Sequence, residues 1–374
     1  MDAAIRIPEW PQAGEREAEL LQNVLESPQW GGFHPYVTEF EQSFARFQGC
    51  DEGLALFNGT VSLELALSVL GIGPGDEVIV PAISFVSSAT AIARVGAIPV
   101  FVDVEACSFN LDPERLREAI SPRTKAVMAV HFGGMPCRIE DVAAICAEHG
   151  LILLEDAAHA QGSEWNGRRA GSFGITGSFS FQNGKVLTAG EGGILISSDR
   201  DFMDKARSIA NCGRIPGRSF YEHHNLGTNF RMSAFQAAIL LAQFERLPNQ
   251  IALRAANVRM LKQVLNGVPG LMWQQHCPQV TQNSWYLLIF RLTSREKRDQ
   301  LRETLTGAGV PNAFYPHTLY QNSVFETVPC RVMECPVAEA MIKDSLWLPH
   351  RVLLSDAESI QEIGNLIGRT LCAN

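Results

Sequence analysis

Between residues 54 and 156 short apolar runs alternate with amphipathic stretches, and few folds satisfy that pattern. "LALF" (54–57), "EVIVP" (77–81), "IPVFVDV" (98–104), "KAVMAVHF" (125–132) and "LILLED" (151–156) read as strands. "SLELALSVLGI" (62–72), "SSATAIARVG" (87–96), "PERLREAI" (113–120) and "IEDVAAICAEHG" (139–150) read as the helices between them. Strands that are apolar on both sides belong to a sheet covered by helices on both faces. The repeating strand–helix order predicts an α/β fold with a mostly parallel, doubly wound sheet.

Beyond Asp156 the pattern changes. "ITGSFSF" and "GGILISS" read as two strands around the stretch "FSFQNGKVLTAGEGG" (179–193). A long helix is expected over 232–265, kinked at Pro248. "SWYLLIFRL" (284–292), "REKRDQLRETLTGAG" (295–309) and the tail 339–371 suggest a smaller α+β unit. The expected division is a large domain over 1–250 and a small one over 251–374, with the N-terminal segment packed on the small one.

Composition narrows the function. The 374 residues carry a net charge of −9 and no basic stripe, which argues against nucleic acid. The most apolar stretch, 77–104, is broken by Pro81, Gly96 and Pro99, so no membrane span is expected. The opening residues lack a secretory apolar core. Nine dispersed cysteines, none spaced C-x-x-C, suit reduced thiols in the cytoplasm. The histidines lack metal-ligand spacing, so no metal is expected.

In open α/β sheets ligands bind beyond the carboxyl ends of the strands, and three features lie there. In "FNGTVSLELAL" a strand runs through Asn58 and Gly59 into a helix for which Thr60 is a natural cap. The free N–H groups suit either a phosphate or simply an ordinary capped start. Asp156 ends a fully apolar strand, where a carboxylate needs a cationic partner. That partner is either a structural arginine or a protonated ring nitrogen, and His159 lies one turn on. Lys185 is the sole lysine between residues 179 and 193. It is either a solvated charge or a buried amine, which sheds its proton easily and becomes a nucleophile. Ser180 lies five residues before it. A phosphate nest, a strand-end acid and a buried lysine together fit pyridoxal 5'-phosphate (PLP).

Nine stretches, among them "NGTVSLELAL", "GIGPGDEVIVPAISFVSSATA", "EDAAHAQG", "FSFQNGKVLTAGEGG" and "LGTNFRMSAFQAAIL", resemble the DegT/DnrJ/EryC1/StrS aminotransferases. These are the sugar and aminocyclitol branch of PLP-dependent transferase fold type I. The resemblance implies that Lys185 forms the Schiff base with PLP and then shuttles a proton. It pairs Asp156 with the pyridine nitrogen and sets His159 beside the ring. Phe85 stacks on the ring's face, and Gly59, Thr60 and Ser180 form the phosphate cup. Asn229 reaches the phosphate held by a neighbouring subunit, implying a homodimer with shared sites.

The implied reaction moves an amino group from L-glutamine or L-glutamate to a keto-sugar or keto-cyclitol. Arg231 is a candidate for the donor carboxylate, or else forms a salt bridge at a helix start. "FQNGK", "DAAHA" and "SLWLPHRVLLSD" look closer to 3-amino-5-hydroxybenzoate synthases, which join amination to dehydration and aromatisation of a cyclic acid. An aminating dehydratase is therefore the alternative, and a non-catalytic PLP-fold sensor a third. The acceptor pocket is expected from variable loops, with Trp30, His34, Tyr221, Tyr315, His317 and His350 as lining or packing residues.

Overall fold

The computed structural model describes residues 5–373. Its main sheet has eight strands. Their spatial order is Glu52–Leu56, Gly193–Ser197, Thr176–Ser180, Ile152–Asp156, Thr124–Val130, Glu77–Pro81, Ile98–Val102 and Arg331–Val332. Gly193–Ser197 runs antiparallel to both of its neighbours, while every other pairing is parallel. The strand Glu77–Pro81 has Ile98–Val102 on one side and Thr124–Val130 on the other, so the winding reverses there. A crevice opens at such a reversal, beyond the strands' carboxyl ends.

The strands' side chains show why the sheet is covered twice. Val78, Val80, Phe101, Ala126, Met128 and Leu154 pack with the helices Gly59–Val69, Ser87–Arg94 and Arg200–Ala210. Their sequence neighbours Ile79, Val100, Val102, Val127, Ala129 and Leu153 pack with Pro113–Ala119 and Ile139–His149. Alternate residues of one strand face opposite sides, so a strand buried on both faces must be apolar throughout.

The helix Ala234–Val264 continues as one element through Pro248. Its first half packs on the large sheet, and Val258 and Leu261 in its second half enter a separate core. That core lies between a three-stranded antiparallel sheet (Met272–Trp273, Leu287–Arg291, Ser345–Pro349) and the helices Arg295–Gly307 and Ala357–Cys372. Ile5 and Ile7 also pack there, and the Arg6 N–H donates to Ser359 Oγ at 2.9 Å. The chain beyond residue 250 also returns to the main sheet, as its edge strand Arg331–Val332. Among the described residues no helix is long and apolar enough to cross a membrane, and no cluster of His, Cys, Asp or Glu has the make-up of a metal site.

Candidate active site

At the carboxyl end of Ile152–Asp156 the chain leaves the sheet with the Asp156 carboxylate buried. Oδ2 accepts from Ser88 Oγ at 2.6 Å and Oδ1 from the Ala158 N–H at 3.2 Å. Ser88 lies in the first turn of Ser87–Arg94, so that helix aims its N-terminal end at the acid. Among the described residues no arginine meets Asp156. Of the two partners open from sequence, the structural arginine is thereby excluded.

The next wall is the start of Gly59–Val69. Thr60 is not its cap. Asn58 takes that place, with Oδ1 accepting from the Val61 N–H at 2.9 Å. The helix therefore begins earlier than the hydrophobic periodicity suggests, because periodicity does not register a glycine and a threonine in the first turn. Thr60 turns its hydroxyl to Ser87 Oγ at 2.7 Å. Gly59 is required by close approach, since a Cβ there would stand 2.7 Å from the Ser180 Cβ. The first N–H groups of this helix have no carbonyl within it, and the hydroxyls of Thr60, Ser87 and Ser180 surround them on the same cavity wall.

Lys185 stands opposite. It is buried, and its Nζ forms no hydrogen bond among the described residues. The ammonium rests over the Tyr286 ring, 4.6 Å from its centre. Burial pulls its pKa down from 10.5 to about 8, against a smaller opposing pull from Asp156. This settles the choice between solvated charge and buried amine. In the cofactor-free chain, acetylation of Lys185 followed by mass spectrometry is expected to show a midpoint near 8. A midpoint at 10.5 would mark an ordinary solvated lysine. Since the folded pKa is the lower one, the buried charge destabilises the fold below about pH 8, and this cost is relieved as pH rises towards the unfolded value.

His159 lies against Tyr286, with ring centres 4.2 Å apart and planes at 25°. Its Nδ1 accepts from the Gly133 N–H at 3.4 Å. Burial, and then the Lys185 charge, push its pKa well below the usual imidazole range, so the ring is neutral. These groups share one cavity of about 390 Å³, which brings together Gly59, Thr60, Phe85, Asp156, His159, Ser180 and Lys185.

Asn229 lies outside that cavity. It forms a bridge with Asn211, and its Oδ1 accepts from the Arg231 N–H at 3.3 Å. Arg231 is outside too. Its Nη1 donates to Asn211 Oδ1 at 2.7 Å, and no carboxylate pairs with it among the described residues, as the alternative reading of a helix-start salt bridge would require. Of the six candidate pocket residues, only Tyr315 lines the cavity. His34 is a buried helix cap, Trp30 packs on Phe235, Tyr221 is exposed, and His317 turns Nδ1 to the Thr318 carbonyl. His350 sits behind the lysine turn, with Nε2 against the Gly184 carbonyl at 3.1 Å. Sequence reasoning missed Ser87, Ser88 and Tyr286. The two serines were legible as a helix start after a strand, whereas Tyr286 reaches the site only by tertiary packing.

Residues 11–367 match the DegT/DnrJ/EryC1/StrS aminotransferase family. The chain belongs to that family. It is 39% identical to a 3-amino-5-hydroxybenzoate synthase of Amycolatopsis mediterranei (strain S699), over 97% of each chain. It is 38% identical to a putative L-glutamine:3-amino-2,3-dideoxy-scyllo-inosose aminotransferase of Micromonospora echinospora, over 83% of this chain and 77% of that one. The crystal structure of a 3-amino-5-hydroxybenzoic acid synthase superposes with TM-score 0.94 at 38% identity, covering 100% of both chains. DesV of S. venezuelae superposes with TM-score 0.89 at 30% identity, covering 96% of this chain and 95% of that one.

The fold is thus PLP-dependent transferase fold type I, and the protein is a PLP-dependent aminotransferase. Its own residues fit the cofactor. Among the described residues, an amine whose Nζ makes no hydrogen bond, a carboxylate that no arginine meets and a helix start ringed by hydroxyls face one cavity.

Proposed function

We propose that this chain moves an amino group from L-glutamine or L-glutamate to a keto-sugar or keto-cyclitol in the biosynthesis of a secondary metabolite. The buried Lys185 amine, sharing a cavity with Asp156 and the Gly59 helix start, carries this reading. The helix N–H groups and the hydroxyls of Thr60 and Ser180 would hold the phosphate. Asp156 would hold the proton of the ring nitrogen, with Ser88 and Ala158 fixing its two oxygens. Bound there, PLP supplies an electron sink for charge developing at the donor's Cα.

Lys185, with a pKa near 8, is poised to carry the proton between the donor's Cα and the cofactor's C4'. His159 is neutral and adds no second positive charge beside the ring. Phe85 presents a half-exposed ring at the mouth to cover the cofactor's face. The relatives' names support an amino transfer to cyclic acceptors. The test is to convert the enzyme to its pyridoxamine form with glutamine or glutamate, then screen keto-sugars and keto-cyclitols for return of the lysine-bound visible band. Failure of both donors to bleach that band would sink the reading.

A second reading is an aminating dehydratase acting on a cyclic enone acid, favoured by the full-length likeness to 3-amino-5-hydroxybenzoate synthase. An aromatic product from an aminodehydroshikimate-type acid would select it, whereas amine exchange without aromatisation would select the first. The nine free cysteines suit a reducing cytoplasm under either reading.

The active form on this reading is a homodimer in which Asn229 and Arg231 serve the neighbouring site. Arg231 lies over the exposed Phe33 ring, and Phe33 shares a groove with the exposed Phe220 and with Asn211, the bridge partner of Asn229. A face that exposes such rings marks an interaction surface. Mixing inactive Lys185→Ala chains with Asn229→Ala chains is expected to restore activity. One site of each heterodimer would carry both lesions and the other neither, giving about half of wild-type activity per heterodimer. No recovery, with subunit exchange shown independently, would mean that Asn229 serves only its own chain.

A further inference from the structure

The turn before Lys185 is bonded from far outside itself. Within it, the Gln182 carbonyl accepts the Lys185 N–H at 2.9 Å, and the Gln182 side chain accepts the Gly184 N–H at 2.8 Å. The two remaining carbonyls go to side chains more than 160 residues away in sequence. Asn183 O accepts from Trp10 Nε1 at 3.0 Å, and Gly184 O faces His350 Nε2 at 3.1 Å. With those two, every carbonyl of the turn is accounted for.

A carbonyl only accepts, so the proton of His350 lies on Nε2. Its Nδ1 is buried without a partner. Burial first, then the charges of Arg254, Arg351 and Lys185, hold the ring neutral. Trp10 meets this ring edge-on at 4.5 Å, and Tyr286 lies nearly parallel to it at 6.0 Å. The His350 N–H also donates to the Tyr286 carbonyl at 2.9 Å. His350 thus meets the backbone that carries Lys185 through its imidazole, and the tyrosine over which the lysine's Nζ rests through its backbone N–H and a nearly parallel ring.

We propose that His350 is a positioning residue for Lys185. Its Nε2–H fixes the Gly184 carbonyl and its ring seats Tyr286, so that the lysine side chain swings while its backbone stays in place. Trp10 completes the brace from an N-terminal segment that is itself tied to the C-terminal core. The need is geometric: a small shift of the lysine's Cα carries Nζ off the reacting carbon, and misplacement of that size is costly in rate. The inference rests on Lys185 being the catalytic amine.

The experiment compares His350→Gln, which keeps a terminal N–H donor, with His350→Leu, which loses it, both in the PLP-loaded enzyme. It reads the rate and KM of the donor half-reaction, and the rate at which PLP leaves on dilution. His350→Leu is expected to slow the half-reaction about tenfold and speed PLP release, with the donor KM within about twofold, as for a lost hydrogen bond that acts through position. His350→Gln is expected to recover most of that loss. Equal loss in both variants, or a rise in KM alone, overturns the proposal. Should His350→Leu fail to fold, Trp10→Phe, which removes the Nε1–H and keeps an aromatic ring, takes its place. A slower half-reaction at unchanged Tm supports the brace, and an unchanged rate overturns it. Lys185→Ala run alongside separates the two failures: turnover by that variant would fell the lysine assignment, and the brace with it.

Discussion

Lys185→Ala is expected to lower kcat by roughly 10⁴-fold or more, since one side chain supplies both the bond to the cofactor and the proton transfer. The fold should survive. Among the described residues the lysine's Nζ makes no hydrogen bond, and it buries a charge, so removing the side chain relieves a cost rather than breaking a network. PLP soaked into the variant should lack the pH-dependent visible band of the lysine-bound form, and a small exogenous amine should restore a trace of turnover. Steady-state transamination near wild type, without added amine, would sink the assignment. Loss of activity together with an unfolded circular dichroism spectrum would show a structural lysine instead.

Asp156→Asn is expected to retain PLP and its lysine bond while slowing Cα deprotonation on the order of 10²–10³-fold, the range for losing one preorganised electrostatic partner. A neutral amide cannot hold the ring nitrogen protonated, so charge at Cα is no longer drawn into the ring. The surroundings tolerate the change. Ser88 donates to Oδ2 and is itself hydrogen-bonded to Ser84 at 2.7 Å, and a hydroxyl can rotate to accept from the new amide instead. Single-turnover mixing with the donor, followed at the visible band, measures the step directly. A rate within about threefold of wild type would make Asp156 a structural carboxylate, because losing an electrostatic partner of the reacting group costs far more than that.

Much of the site was legible because its residues sit at strand ends and helix starts. Asp156 closes an unbroken apolar run, where a carboxylate is costly without a partner. Gly59 and Thr60 follow a strand directly and open a helix. Boundaries were less legible: the true cap, Asn58, was overlooked because a cap is set by backbone geometry that hydrophobic periodicity does not encode. Pro248 lies inside one helix that runs from Ala234 to Val264. Its two halves are each anchored in a core, and that packing holds the helix together past the missing donor. The candidate pocket histidines scattered for a similar reason. A histidine in a loop is equally suited to capping, packing or binding, and only the neighbours decide which.

The sequence by itself determined the doubly wound sheet, since double-sided apolar strands have nowhere else to go, and singled out Lys185, Asp156 and Gly59 as candidates through their order and joint placement, each having an ordinary reading on its own. Tertiary structure alone decided that among the described residues no arginine meets Asp156, that Tyr286 supplies the face under the Lys185 ammonium, and that Trp10 and His350 grip the lysine's turn. Those contacts join residues far apart in sequence, and nothing in a local pattern records them. They exist because the N-terminal segment and the C-terminal sheet share one core with the long helix, which brings both ends of the chain against the turn that carries the amine.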